Sequence, residues 1–76
     1  MAYSPSNFSP EDLISEYGVL SAQEALYPEN KTYIKKRLMC EKELISRLGG
    51  SWEVYCELNG WEVQEMDKMI ESVKRK

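Results

Sequence analysis

Apolar residues recur every three or four positions along most of the chain, which is the spacing of one face of an α-helix. The longest uninterrupted run of this pattern covers residues 29–48 and stops at Gly49-Gly50. Its apolar side chains fall within an arc of about 160°, as on the core-facing side of a surface helix. The residues in this arc are Tyr33, Ile34, Leu38, Cys40, Leu44, Ile45 and Leu48. The pattern predicts that residues 29–48 form the longest helix and pack inward along this face.

Helix-start signals divide the N-terminal part of the chain into two short helices. Ser9-Pro10 opens a capping pattern, which predicts a first helix over residues 10–17. Gly18 follows this helix and suits the left-handed residue that ends many helices. A second capping pattern begins at Ser21 and predicts a short helix that stops before Pro28.

Residues 52–66 fit two different structures. Apolar and polar residues alternate on both sides of Asn59-Gly60, which is the pattern of a β-hairpin with a two-residue turn. That turn would place two glutamates directly opposite each other, and a like-charge pair across two strands is destabilising. A capping box that starts at Asn59 instead predicts a last helix over residues 61–74. Residues 52–58 then form a short helix before it. We favour the helices and keep the hairpin at 52–66 as the alternative.

These elements together predict an all-α fold, a compact bundle of about five short helices, with an α+β fold as the alternative if the hairpin forms. Residues 9–76 would form one domain behind an extended lead-in at residues 1–8. A chain of 76 residues has a thin margin of stability. Burial in a homo-oligomer or a complex is therefore an alternative to a self-sufficient monomer. No apolar run approaches the ~18 residues that a membrane span needs, so we expect no membrane insertion.

The chemistry available to the chain is narrow. It has no histidine, the residue that most often serves as a base near neutral pH or as a metal ligand. Its two cysteines, Cys40 and Cys56, match no zinc-ligand spacing and are too few for a disulfide framework. Phosphate-binding and dinucleotide-binding loops are absent from the sequence. We therefore expect no catalysis, no metal, no cofactor and no small-molecule substrate.

The N-terminal sequence has neither the basic region nor the apolar region of a signal peptide. We therefore expect a small acidic protein of net charge -3 in the reducing cytoplasm, with both cysteines free. The sequence begins with methionine and ends in a basic helix end. We expect from this a complete small protein, such as accessory or virus-encoded regulators often are, and this expectation is an analogy.

Five residues are not used by the predicted core faces. Met39 lies about 100° outside the core-facing arc, and Trp61 points away from the apolar side of the last helix. Tryptophan and methionine are both favoured where a surface binds another protein. Lys31, Lys35 and Lys42 fall within about 40° of each other on the face opposite the arc, which predicts a basic stripe. These five residues are the candidate partner-binding surface.

Two charged residues lie inside the core-facing arc of the long helix. Arg37 and Glu41 are four residues apart, so their side chains can form an ion pair. Two interpretations remain open for this pair. It either closes the seam between helices as a structural pair or presents a polar contact to a partner.

By elimination, the sequence predicts a non-enzymatic protein–protein interaction module. It would act as a small adaptor, inhibitor or regulatory subunit, and its partner would be a larger protein or a second copy of itself. The alternative is a small nucleic-acid-binding regulator that uses the basic stripe on the long helix. Three lysines on a chain of net charge -3 would bind nucleic acid weakly at most, so the protein partner is favoured.

Overall fold

The computed structural model describes residues 3–75, which are helical and contain no β-strand. Four helices follow a short 3-10 turn at Pro5–Asn7: α1 (Pro10–Leu26), α2 (Lys31–Arg47), α3 (Trp52–Leu58) and α4 (Val63–Lys74). None of these helices is long and apolar enough to cross a membrane within the described residues. The all-α prediction is confirmed, with four helices in place of five. Residues 1 and 2 of the predicted lead-in, and Lys76, lie outside the described residues.

Helix α3 replaces the alternative hairpin, and its burial pattern gives the reason. Trp52 and Cys56 are buried, whereas Val54 and Leu58 are 53% and 81% exposed. A strand would place all four side chains on one face, because its side chains alternate with a period of two. The helical period of 3.6 separates the buried pair from the exposed pair. The hairpin at 52–66 is therefore wrong.

The first two predicted helices form the single helix α1. The helix runs through Gly18 without a break, and Gly18 does not take the left-handed conformation predicted for it. Leu13 and Leu20, two turns apart on one side, are both buried against α2. Each buried leucine contributes roughly 1.5–3 kcal/mol, which exceeds the cost of about 1 kcal/mol for a glycine in a helix interior. The predicted break at Gly18 is wrong because a bend there would separate the two leucines from their common partner.

The long helix lies close to its predicted position. Asn30 caps its N-terminus, and the side-chain oxygen accepts hydrogen bonds from the backbone N–H groups of Thr32 at 3.0 Å and Tyr33 at 3.3 Å. Helix α2 therefore begins at Lys31, two residues later than predicted. It ends before Gly49, whose φ of 82° supplies the left-handed residue that follows many helices.

The last helix begins later than predicted, because Asn59 belongs to the preceding turn. The Asn59 side-chain amide donates to the carbonyl oxygen of Tyr55 at 2.9 Å, so it caps the end of α3 and does not start α4. Gly60, with a φ of 73°, turns the chain. Helix α4 then starts at Val63, and Trp61 lies in the connection before it.

Helix α2 is the centre of the molecule. Helix α1 packs on one side of it, and α3, α4 and the N-terminal segment pack on the others. The consecutive residues Leu38, Met39, Cys40 and Glu41 are all buried. Successive side chains of a helix point about 100° apart, so this turn is enclosed on every side. The prediction of a single inward face on α2 is therefore wrong, and Leu48, predicted inside, is exposed.

Two apolar clusters lie on different sides of α2. One joins Leu13 and Leu20 of α1 to Cys40. The other joins α2 to α3 and α4 through Leu38, Met39, Trp52, Cys56, Ile70 and Val73. Residues 3–8, predicted to be extended, contain the 3-10 turn and are fixed on α2, since the Arg47 guanidinium donates to the Phe8 carbonyl oxygen at 2.7 Å.

Candidate functional site

The structure places Met39 in the core. Its side chain is 3% exposed and belongs to the cluster that includes Ile70 and Val73 of α4. The prediction that Met39 lies outside the core is wrong. The physical reason is the central position of α2, whose second side is covered by α4.

The basic stripe does not form a free surface. Lys35 donates to the Ser72 hydroxyl oxygen at 2.6 Å, and Lys42 pairs with the Asp67 carboxylate at 2.8 Å. Both partners are on α4, so the side of α2 that carries these lysines faces that helix. Lys31 is exposed at the first residue of α2. The predicted position of the stripe, opposite the packed side of the helix, is wrong because α2 packs on more than one side.

Trp61 is half-buried in the connection between α3 and α4. Its ring meets the Tyr55 ring edge to face, with centroids 5.7 Å apart, and it packs against the cluster between α2, α3 and α4. Its backbone N–H donates to the Cys56 carbonyl oxygen at 2.8 Å. The indole therefore has intramolecular partners, and a role for Trp61 at an interface stays a prediction.

The Arg37–Glu41 pair joins α1 to α2. The guanidinium contacts Glu41 Oε1 at 3.0 Å, and the Tyr17 hydroxyl donates to the same oxygen at 2.6 Å. A second ion pair links Arg37 to Glu24 of α1. The side chain of Glu41 is 9% exposed. Of the two interpretations left open for this pair, the buried contacts between two helices favour the structural one.

The tyrosines around Glu41 titrate above their ordinary range. The hydrogen bond to Glu41, followed by burial, raises the pKa of Tyr17. Burial, followed by the same carboxylate, raises the pKa of Tyr55 to about 12. Glu41 Oε2 accepts no hydrogen bond from the described residues. The Tyr17 hydroxyl keeps its proton at physiological pH and links α1 to the ion pair through its hydrogen bond to Oε1.

Helix α1 is apolar on two opposite sides. Leu13 and Leu20 fill the inner side, whereas Ile14, Val19 and Leu26 are 63%, 51% and 73% exposed. The outer side spans about 140° at the helical period. Its exposed residues after the first turn are Ile14, Ser15, Gly18, Val19, Ala22, Ala25 and Leu26, and none of them is charged. We call this surface the outer face of α1.

The outer face was missed by the sequence reasoning because the predicted break at Gly18 divides it between two helices. Ile14 then belongs to one helix and Leu26 to another, each too short to show a continuous stripe. The helical projection carried through Gly18 would have revealed it, since residues 14, 18, 22 and 25 follow each other at spacings of three and four.

A groove with carboxylates borders the outer face. It has a volume of about 290 Å³ and is lined by Phe8, Asp12, Ser15, Glu16 and Val19. Neither carboxylate forms an ion pair with any residue from 3 to 75. We call this feature the acidic groove. It combines two apolar side chains with two carboxylates that have no ion-pair partner among residues 3–75, and residues 1–30 contain no lysine or arginine.

Comparison with protein-family models, with curated proteins and with solved structures finds no match for this chain. Among the residues that the structure describes, no group of three or more histidine, cysteine, aspartate or glutamate side chains is arranged to hold a metal ion. The outer face of α1 and the acidic groove beside it form the candidate functional site.

Proposed function

We propose that this chain is a non-enzymatic protein-binding module that docks its partner on the outer face of α1. One observation carries the proposal: α1 is apolar on both sides, and the chain covers only the inner side. A surface helix normally has one apolar stripe, which faces the core, and a polar side opposite to it. Ile14, Val19 and Leu26 remain more than half exposed. Covering them would contribute roughly 1–2 kcal/mol each, which suits a reversible complex after the cost of association.

An adaptor, an inhibitor or a regulatory subunit would each use such a surface. The surface replaces the one expected from the sequence, because Met39 is in the core and two of the three lysines are bound to α4. No observation favours the nucleic-acid alternative. Two of the three lysines contact α4, and the exposed apolar face adjoins carboxylates that phosphates would repel.

Affinity capture from the native source with matched variants tests the proposal. Ala22→Arg places a long charged side chain in the middle of the outer face, at an exposed helical position that tolerates it. Gln64→Arg makes the same change of charge at an exposed position of α4 and serves as the control. Circular dichroism confirms that both variants fold.

We expect a partner, identified by mass spectrometry, to be recovered equally with the original chain and with Gln64→Arg. Its recovery falls at least tenfold with Ala22→Arg. Equal recovery with both variants would contradict the assignment of α1 as the docking surface.

A further inference from the structure

We infer that the outer face of α1 receives an amphipathic helix of another protein, and that the acidic groove holds an arginine or lysine at the border of that helix's apolar stripe. The inference rests on the proposed function and adds the chemistry of the partner. It is carried by charge complementarity between the partner and the groove, and by the shape of the outer face.

The acidic groove has the composition that a long cationic side chain needs. Phe8 and Val19 offer apolar contact for its aliphatic stem, and Asp12 and Glu16 offer carboxylates for its charged head. Long basic side chains bind in this divided manner, with an apolar stem and a polar tip. Hydrogen bonds between such a head and a carboxylate are among the stronger ones in proteins.

Another carboxylate of α1 already has a basic partner within the chain. Glu24 of α1 forms an ion pair with Arg37 of α2, which lies on the covered side of the helix. Asp12 and Glu16 have no such partner within residues 3–75. Their negative charge is therefore available to a cationic side chain of a partner.

The outer face has the shape that a second helix needs. Gly18, Ala22 and Ala25 project little beyond the backbone, and a Cβ added at Gly18 would meet no atom within 4 Å. Helix axes approach to about 8–10 Å, and small side chains permit the short end of that range. Ile14 and Leu26 stand at the two ends of the small-residue stretch, where they would contact the sides of the incoming helix.

A second copy of this chain fits the surface poorly. The α1 helix of a second copy could not supply the cation, because residues 1–30 contain no lysine or arginine.

Peptide binding tests the inference directly. Two synthetic 18-residue helices share one stripe of leucine and alanine, and they differ only in lysine or glutamate at the flanking positions. Fluorescence anisotropy measures the affinity of each labelled peptide for the full chain at 50 mM and 500 mM salt. We expect the lysine-flanked peptide to bind at least tenfold more tightly at low salt, with a smaller ratio at high salt because exposed charges are screened.

Two double variants with the same change of charge locate the cation. Asp12→Asn with Glu16→Gln removes the carboxylates of the groove, and we expect it to weaken the lysine-flanked peptide about tenfold. Glu57→Gln with Glu65→Gln removes two exposed carboxylates elsewhere, and we expect an effect below twofold. Equal losses in the two double variants would overturn the groove as the cation site.

The remaining outcomes separate this inference from the proposed function. If both peptides bind equally and Ala22→Arg blocks both, the docking surface stands and the basic partner is wrong. If the lysine-flanked peptide binds regardless of Ala22→Arg, both ideas are wrong. Failure of the lysine-flanked peptide to bind at 1 mM overturns the inference, and the capture experiment then decides the proposed function. A dimer in sedimentation velocity that Ala22→Arg dissociates would identify a second copy as the occupant and overturn the basic helix.

Discussion

Gly18→Ala is expected to stabilise the isolated chain. Gly18 lies in the interior of α1, its φ is not positive, and a Cβ there meets nothing within 4 Å. The new methyl group therefore meets no clash, while alanine limits the freedom of the unfolded chain. Helix propensities put the gain at about 0.5–1 kcal/mol. For a domain of this size, that gain corresponds to a rise of roughly 2–8 °C in the melting temperature.

Thermal unfolding followed by circular dichroism measures this change, and Gly49→Ala is the matched control. A Cβ at Gly49 also meets nothing within 4 Å, but its φ of 82° is unfavourable for alanine. The control should therefore lose about 1–2 kcal/mol. If Gly18→Ala also lowers the melting temperature, Gly18 holds a left-handed conformation and α1 is broken there. A continuous outer face of α1 would then be refuted.

Three further predictions concern the buried contacts. Trp61→Ala should lower the free energy of unfolding in urea by about 2 kcal/mol. This is less than the roughly 3–5 kcal/mol lost with a fully buried aromatic, because the Trp61 ring is only half-buried on Tyr55. An unchanged urea midpoint would contradict this packing. Tyr17→Phe should cost about 1–3 kcal/mol, since it removes the 2.6 Å hydrogen bond to Glu41, and a loss below about 0.3 kcal/mol would show that this bond contributes little. Burial and the nearby Glu41 carboxylate raise the pKa of Tyr55 from its ordinary value of 10.0 to about 12. The stabilisation from this shift is fully present below pH 10 and is lost as the pH rises from 10 towards 12. Urea midpoints at pH 8 and pH 11 measure this fall, which should be smaller in Tyr55→Phe; equal falls in the two chains would assign it to other groups.

The buried network around Glu41 gives the outer face of α1 a rigid base. Two contacts connect α1 to α2 on the inner side: the Arg37–Glu24 ion pair and the hydrogen bond from Tyr17 to Glu41. Rotation of α1 would break both of them. Breaking a buried pair by removing one member is strongly destabilising. The orientation of the outer face is therefore fixed before any partner binds, which lowers the ordering cost of association.

The sequence by itself determined that the fold is all-α and where α1 and α3 begin. These features depend on contacts within a few residues. Ser9, Asn30 and Ser51 accept hydrogen bonds from backbone N–H groups two or three positions later, at 3.1, 3.0 and 3.4 Å. Caps act through local geometry, and the sequence predicted the one at Ser9 correctly. It did not predict the caps at Asn30 and Ser51, and its predicted caps at Ser21 and Asn59 are wrong.

Only the tertiary structure decided which helix faces are covered. Helical periodicity gives the direction of a side chain but not the number of neighbours around its helix, so Met39 was predicted outside the core although α4 covers it. The continuity of α1 was decided in the same way, because Gly18 is a local break signal that the burial of Leu13 and Leu20 on one partner overrides. With α1 continuous, its second apolar side emerged as the candidate site. The physical reason is that burial depends on contacts between residues far apart in sequence, and local patterns do not record them.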